Sequence, residues 1–168
     1  ESIPKLVLKA KEAGCEGVVA LGVMGEAHRL TDSEARVVAN TVIKAAGDMP
    51  VTLGTSGPST MVAIARSKEA QEMGAAAVMV APPPMAKSNL DVVYAHYHRL
   101  AEAIDIPIVV QDYPKTTGVH MPPDFFVKLI DNIPLVKYCK IEAPPTPSKI
   151  SAIRRLTGDR LILFGGLG

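Results

Sequence analysis

Tryptophan is absent, and aromatic residues make up only 4% of the 168-residue chain. That leaves no platform for stacking nucleic-acid bases. Cysteine occurs twice, as Cys15 and Cys139, with no CxxC pair. Two isolated cysteines suit a reducing compartment better than a disulfide framework. Neither sign of charge dominates, since 18 basic and 17 acidic residues give a net charge of +1. A basic stripe for nucleic acid and a charged tail are both missing. No apolar stretch reaches the length of a membrane span, and Glu1 opens no basic-then-apolar leader. Among the histidines, His96 and His98 stand two apart on an expected helix and so do not share a face. There is no HExxH or other metal-ligand spacing and no Walker A sequence. These absences lead to the expectation of a soluble, cytoplasmic protein without a metal, a cofactor, a nucleic-acid partner or a membrane.

What is present is alternation. Amphipathic helical stretches (Pro4 to Ala13, Thr31 to Ala46, Ser59 to Met73, Asn89 to Ala103, Asp124 to Ile130, Pro147 to Leu156) alternate with short apolar runs. Those runs are Gly17 to Leu21, Val51 to Leu53, Ala76 to Val80, Ile106 to Gln111, Leu135 to Ile141 and Leu161 to Phe164. Thr31-Asp-Ser-Glu34 has the spacing of a capping box, and Ser59 or Thr60 can cap the next helix. Short continuous apolar strands separated by helices imply an α/β domain with a parallel sheet, and residues 1–168 read as one such domain. Both a doubly wound open sheet and a (β/α)8 barrel satisfy this pattern, although six units do not close an eight-stranded barrel.

The strand ends carry the candidate chemistry. Gly22-Val-Met-Gly-Glu26 is either a tight turn or an anion cradle of backbone N–H groups, and Gly54-Thr-Ser-Gly57 has the same two readings. Gly165-Gly-Leu-Gly168 falls short of a dinucleotide fingerprint. Tyr113, in Gln111-Asp-Tyr-Pro114, is either a proton relay or a residue with a satisfied hydroxyl. Lys140 ends an apolar strand just before Glu142. Strand parity places Val136, Tyr138, Lys140 and Glu142 on one face and Lys137 on the other. Lys140 is therefore the lysine that can serve an interior pocket.

Taken in order, Gly22-x-x-Gly-Glu26 with Leu30-Thr31 and Glu34, Pro114-x-x-Thr117-Gly118, Lys140 one strand later, and Phe164-Gly-Gly-Leu-Gly168 resemble the dihydrodipicolinate synthase / N-acetylneuraminate lyase family. The resemblance covers nearly the whole chain. It implies a (β/α)8 barrel of which this chain supplies about the second to seventh strands, as part of a longer protein. It further implies that Lys140 forms a Schiff base with pyruvate or another 2-oxo acid, and that Val23, Met24, Gly25, Gln111 and Gly165 line the substrate site. A homo-oligomer, dimer or tetramer, is expected. Several positions depart from the family pattern, among them Thr116 in place of a common arginine. Val23 and Met24 replace a pair of hydroxyl residues, Gln111 replaces the tyrosine (with Tyr113 two residues on), and the acid after the lysine is displaced to Glu142. Two readings follow: a Schiff-base lyase, aldolase or dehydratase, and a binding or regulatory barrel that has lost its proton relay. A nucleotide-binding open sheet is the third. Exposed apolar interior and unpaired strand edges predict that the isolated chain aggregates.

Overall fold

A computed structural model describes residues 2–166. The first helix, α1 (Ser2–Glu12), leads into β1 (Val18–Ala20), α2 (Asp32–Ala46), β2 (Val51–Gly54), α3 (Thr60–Glu72) and β3 (Ala77–Val80). The second half runs α4 (Leu90–Ala101), β4 (Ile108–Asp112), α5 (Pro114–Thr117), α6 (Pro123–Asn132), β5 (Val136–Ile141), α7 (Thr146–Thr157) and β6 (Ile162–Gly165). Helix starts are set by local chemistry. Thr31 and Glu34 exchange side-chain and backbone hydrogen bonds in a complete capping box. The Ser59 and Asn89 side chains accept from N–H groups in the first turns of α3 and α4. The short helix α5 is not expected from hydrophobic periodicity, because it holds only four residues and begins on a proline. Its start follows from proline chemistry, since a ring at the first helical position has no N–H to waste.

All six strands pair in parallel in the order β1-β2-β3-β4-β5-β6. Strand order decides between the two architectures. A doubly wound sheet reverses direction from a central strand and so places helices on both faces. Strictly sequential right-handed crossovers keep every helix on one face, and the twisted sheet curls into part of a barrel. The incomplete (β/α)8 barrel is therefore the fold. Two cores record its two faces. On the helix side, Leu53, Val78, Val80, Ile108, Val110, Cys139 and Ile141 pack with Tyr97, Leu100, Phe126 and Leu129 from the helices. Burial of each large side chain stabilises this layer by about 1.5–3 kcal/mol. The inner face carries a small cluster of Ala77, Met79 and Val109 with Tyr138 against it.

One expectation from parity needs correction. Val136 lies in the helix-side core with Cys139 and Ile141, not on the inner face with Lys140. The register explains this: Ile108 pairs with Val136 but Val109 pairs with Tyr138, so Lys137 is an extra residue in a β-bulge. A bulge adds one residue to one strand and so reverses the parity across it. Tyr138 and Lys140 keep the inner face, and Lys137, unpaired between Val136 and Tyr138, is exposed.

Candidate active site at the carboxyl end of the strands

The ladder brings Gln111 opposite Lys140 and Asp112 opposite Ile141 at the carboxyl ends of β4 and β5. Alternation then sends Ile141 into the helix-side core and returns Glu142 towards Lys140. Lys140 Nζ lies 3.3 Å from Glu142 Oε1, with 25% of the lysine side chain and 6% of the glutamate side chain exposed. The Gln111 side chain completes the arrangement by donating from Nε2 to Glu142 Oε2 at 2.7 Å. Each carboxylate oxygen thus has its own partner, as a buried charge requires. Further support comes from backbone, since the Glu142 N–H donates to the Asp112 carbonyl at 2.9 Å. Such a site holds an amine and a carboxylate side by side, the carboxylate buried and the amine a quarter exposed.

A glycine from the next strand closes over this pair. Gly166 N–H donates to the Ile141 carbonyl at 2.9 Å. A Cβ at Gly166 would collide with Glu142 Cγ and approach Lys140 Cε to 2.8 Å. Gly165, the residue expected to line the substrate site, has more room. There a Cβ meets only Ile150 Cδ1, at 3.9 Å. Gly165 pairs with Ile141 in the ladder, one residue from the amine.

The loop after β1 shapes the other side. Leu21 turns out of the strand in the left-handed region (φ 58°). Its carbonyl packs so closely on Gly54 that any side chain there would clash. Gly25 N–H donates to the Gly22 carbonyl at 3.1 Å and Glu26 N–H to the Val23 carbonyl at 3.0 Å. Of the two readings for this pentapeptide, the tight turn is present, and it leaves the Val23 and Met24 N–H groups outside its own bonds. Met24 is almost fully exposed, at 95%. Gly22, Val23, Ser56, Gln111 and Thr117 line one cleft of about 1150 Å³. Gln111 is the link between that cleft and the Lys140–Glu142 pair. Tyr113 is placed differently. It lies beyond the end of β4 as the residue preceding α5, and its carbonyl accepts from the Thr116 and Thr117 N–H groups. It does not line the cleft.

On the opposite face of the same strands lies a second ion pair that sequence reasoning missed. Asp112 is fully buried, and Lys149 Nζ from α7 lies 2.6 Å from its Oδ2. Burial pushes the Asp112 carboxyl above its ordinary range, and Lys149 pulls it back. The neighbouring thiol of Cys139 is pushed up by burial, which leaves it a poor nucleophile. Among the described residues no cluster of three or more His, Cys, Asp or Glu side chains has the makings of a metal site. Nor is any described helix long and apolar enough to cross a membrane.

A sequential parallel barrel segment with a lysine and a carboxylate paired at the carboxyl rim of its strands defines a (β/α) barrel protein, a class in which chemistry sits at that rim. The comparisons with known proteins narrow this class. A sequence model of the Dihydrodipicolinate synthetase family matches residues 1–168, and the chain belongs to that family. It is 36% identical over 152 residues to a 4-hydroxy-tetrahydrodipicolinate synthase from Thermomicrobium roseum, covering 90% of this chain and 50% of the relative. It is also 36% identical over 159 residues to an L-2-keto-3-deoxyarabonate dehydratase from Azospirillum brasilense, covering 89% and 50%. The crystal structure of the chloride-inhibited dihydrodipicolinate synthase from Acinetobacter baumannii, complexed with pyruvate, superimposes with a TM-score of 0.92. That match has 31% identity and covers 98% of this chain and 56% of the other. The chain spans about half the length of the curated relatives it matches.

Proposed function

We propose that the protein carrying this chain is a Schiff-base-forming lyase or dehydratase acting on a hydroxylated 2-oxo acid, with Lys140 as nucleophile and Glu142 as the proton-transfer group. The observation that carries this reading is the 3.3 Å contact between Lys140 Nζ and Glu142 Oε1 at the strand rim. Neutral Lys140 adds to the 2-oxo carbon and expels water, leaving an iminium. The iminium draws electrons from the adjacent carbon, which can then lose a proton or break its bond to the next carbon. In the dehydration variant Glu142 takes that proton. The hydroxyl on the following carbon then leaves with it as water, and hydrolysis of the imine frees the product. A single carboxylate so placed acts first as base and then as acid.

The apolar side chains of Val23 and Met24 favour Glu142 over a hydroxyl relay through the first loop. Their N–H groups, with Gly25 fixing the turn, are the donors proposed for the substrate carboxylate. Gln111 holds Glu142 in line, and Gly165 packs beside the reacting centre. Tyr113, displaced from the cleft, is assigned at most a supporting place in the relay. Likeness to a keto-acid dehydratase and to one synthase crystallised with pyruvate supports the substrate class. The same reading extends to a cytoplasmic homo-oligomer, a dimer or tetramer. It is supported by two free cysteines and by exposed apolar side chains on the helices, Val37 and Met61 among them.

The test is reductive trapping. Full-length protein is incubated with pyruvate and with a hydroxylated 2-oxo acid in the presence of borohydride, and the modified peptide is mapped by mass. The expected adduct lies on Lys140 and disappears in Lys140→Ala. An adduct on another lysine, or none with any 2-oxo acid, defeats the reading. Ligand-induced thermal stabilisation that survives in Lys140→Ala would instead favour the non-catalytic binding barrel.

A further inference from the structure

The Asp112–Lys149 pair is unexplained by the chemistry above. It is costly to build, since both charges leave water, and the Asp112 Oδ1 has no hydrogen-bond partner among the described residues. A role in packing alone would be served as well by two apolar side chains of similar volume. Its position suggests another reason. Asp112 and Gln111 are neighbours at the end of β4, and between them they hold Glu142. Gln111 donates to the carboxylate from the inner face, and the Asp112 carbonyl receives the Glu142 N–H. Lys149 lies in the first turn of α7, which begins at Thr146, immediately after the Glu142-Ala-Pro-Pro connection. The pair therefore ties both ends of that connection to β4.

We propose that Lys149 is a positioning residue for the Lys140–Glu142 pair, acting through Asp112 as a balancing charge on the far face of the same two strands. The inference rests on the Schiff-base reading of Lys140. Two carboxylates at the β4 and β5 ends lie between the ammonium groups of Lys140 and Lys149, so the site is neutral as a set. At a pH where Asp112 is ionised, removing Lys149 leaves that charge unbalanced, which favours protonated Lys140 and Glu142. Removing the Asp112 charge leaves Lys149 unbalanced, with the opposite effect. The other titratable groups acting on Asp112 from the surrounding elements are His120 after α5, Cys139 on β5 and Tyr97 on α4. Burial favours their neutral forms at Cys139 and Tyr97, and His120 is exposed.

The experiment is the pH dependence of pyruvate trapping by borohydride at Lys140 in the full-length protein, with thermal melts alongside. Lys149→Met is expected to move the midpoint of trapping up, and Asp112→Asn to move it down, each by about half a pH unit or more. The double variant, which removes both charges, is expected to return to the wild-type midpoint, as is the charge-conserving Lys149→Arg. Single variants that lose trapping without moving the midpoint, or that move it in the same direction, overturn the proposal. If a single variant fails to fold, the folded double variant decides, and a displaced midpoint there overturns the proposal as well. Absence of any adduct in the wild type is a different failure. It removes the lysine chemistry itself, and this inference with it.

Discussion

On the helix side of the sheet Val78, Val80, Ile108, Val110 and Cys139 are fully excluded from solvent, whereas on the inner face Val19, Ile162 and Phe164 remain 57%, 48% and 47% exposed. The first set comes from the central strands β3, β4 and β5, the second from the edge strands β1 and β6. On the helix side these residues are buried under the helices in one continuous core. The inner face of the sheet's edge strands, β1 and β6, stays open, because each pairs with a single neighbour. Stability is thus concentrated on one face and chemistry on the other, with the strand ends as the place where they meet. Lys140–Glu142 and Asp112–Lys149 repeat the contrast at the level of ion pairs. The first keeps a quarter of its lysine side chain accessible, and the second has its carboxylate fully buried.

Substitutions can break this division of labour. Glu142→Gln, on the inner face, is expected to lower turnover about 10²- to 10⁴-fold while leaving the melting temperature close to wild type. Steady-state kinetics with a 2-oxo acid and a thermal melt of the same sample provide the check, and near-normal turnover would remove Glu142 from the mechanism. Phe126→Ala, in the helix-side core, is expected to cost about 3–5 kcal/mol in a urea titration. The inner face gives the reverse expectation in the isolated 168-residue chain. There, Val19→Ser, Ile162→Ser and Phe164→Ser together should reduce self-association by sedimentation, because the apolar interior is what associates. Equal self-association of the triple variant would place the sticky surface elsewhere.

His96 tests the helix side by pH. It is buried on α4, its Nδ1 lies 3.0 Å from Thr60 Oγ1, and burial lowers its pKa from 6.5 to about 4. The folded state therefore resists the charged ring. Its contribution is complete above pH 6.5 and is lost as pH falls towards 4, by up to about 3 kcal/mol. Unfolding free energies measured between these limits should fall, and His96→Gln should flatten that slope. The smallest effect belongs to the surface. Thr31→Ala removes a capping box remote from both cores and should cost about 1 kcal/mol by thermal or chemical melting.

Local chemistry made much of the fold legible in the sequence. The Thr31 and Ser59 caps and the apolar runs identify the elements to within a few residues. Architecture was harder, because helix–strand alternation is common to open sheets and barrels, and strand order is a property of the folded chain. The site was partly legible. Parity puts Lys140 and Glu142 on one face, where the two side chains meet. It misplaces Val136, because a bulge has no dependable signature in one sequence. The need for a glycine at Gly166 arises only from the approach of Lys140 and Glu142 in space. The Asp112–Lys149 pair was hidden for the same reason, since its partners lie on different elements and neither belongs to a motif.

The bulge at Lys137 also says where β5 tolerates a change in length. Lys137 has no partner in the register between Ile108–Val136 and Val109–Tyr138. Deleting it would leave a regular ladder and every later side chain facing as before. Deleting a residue between Tyr138 and Lys140 would turn the remaining strand over, trading the amine on the inner face for a position in the helix-side core. Insertions and deletions at this strand are therefore asymmetric: chain length is negotiable on the amino side of Tyr138 and fixed on the carboxyl side.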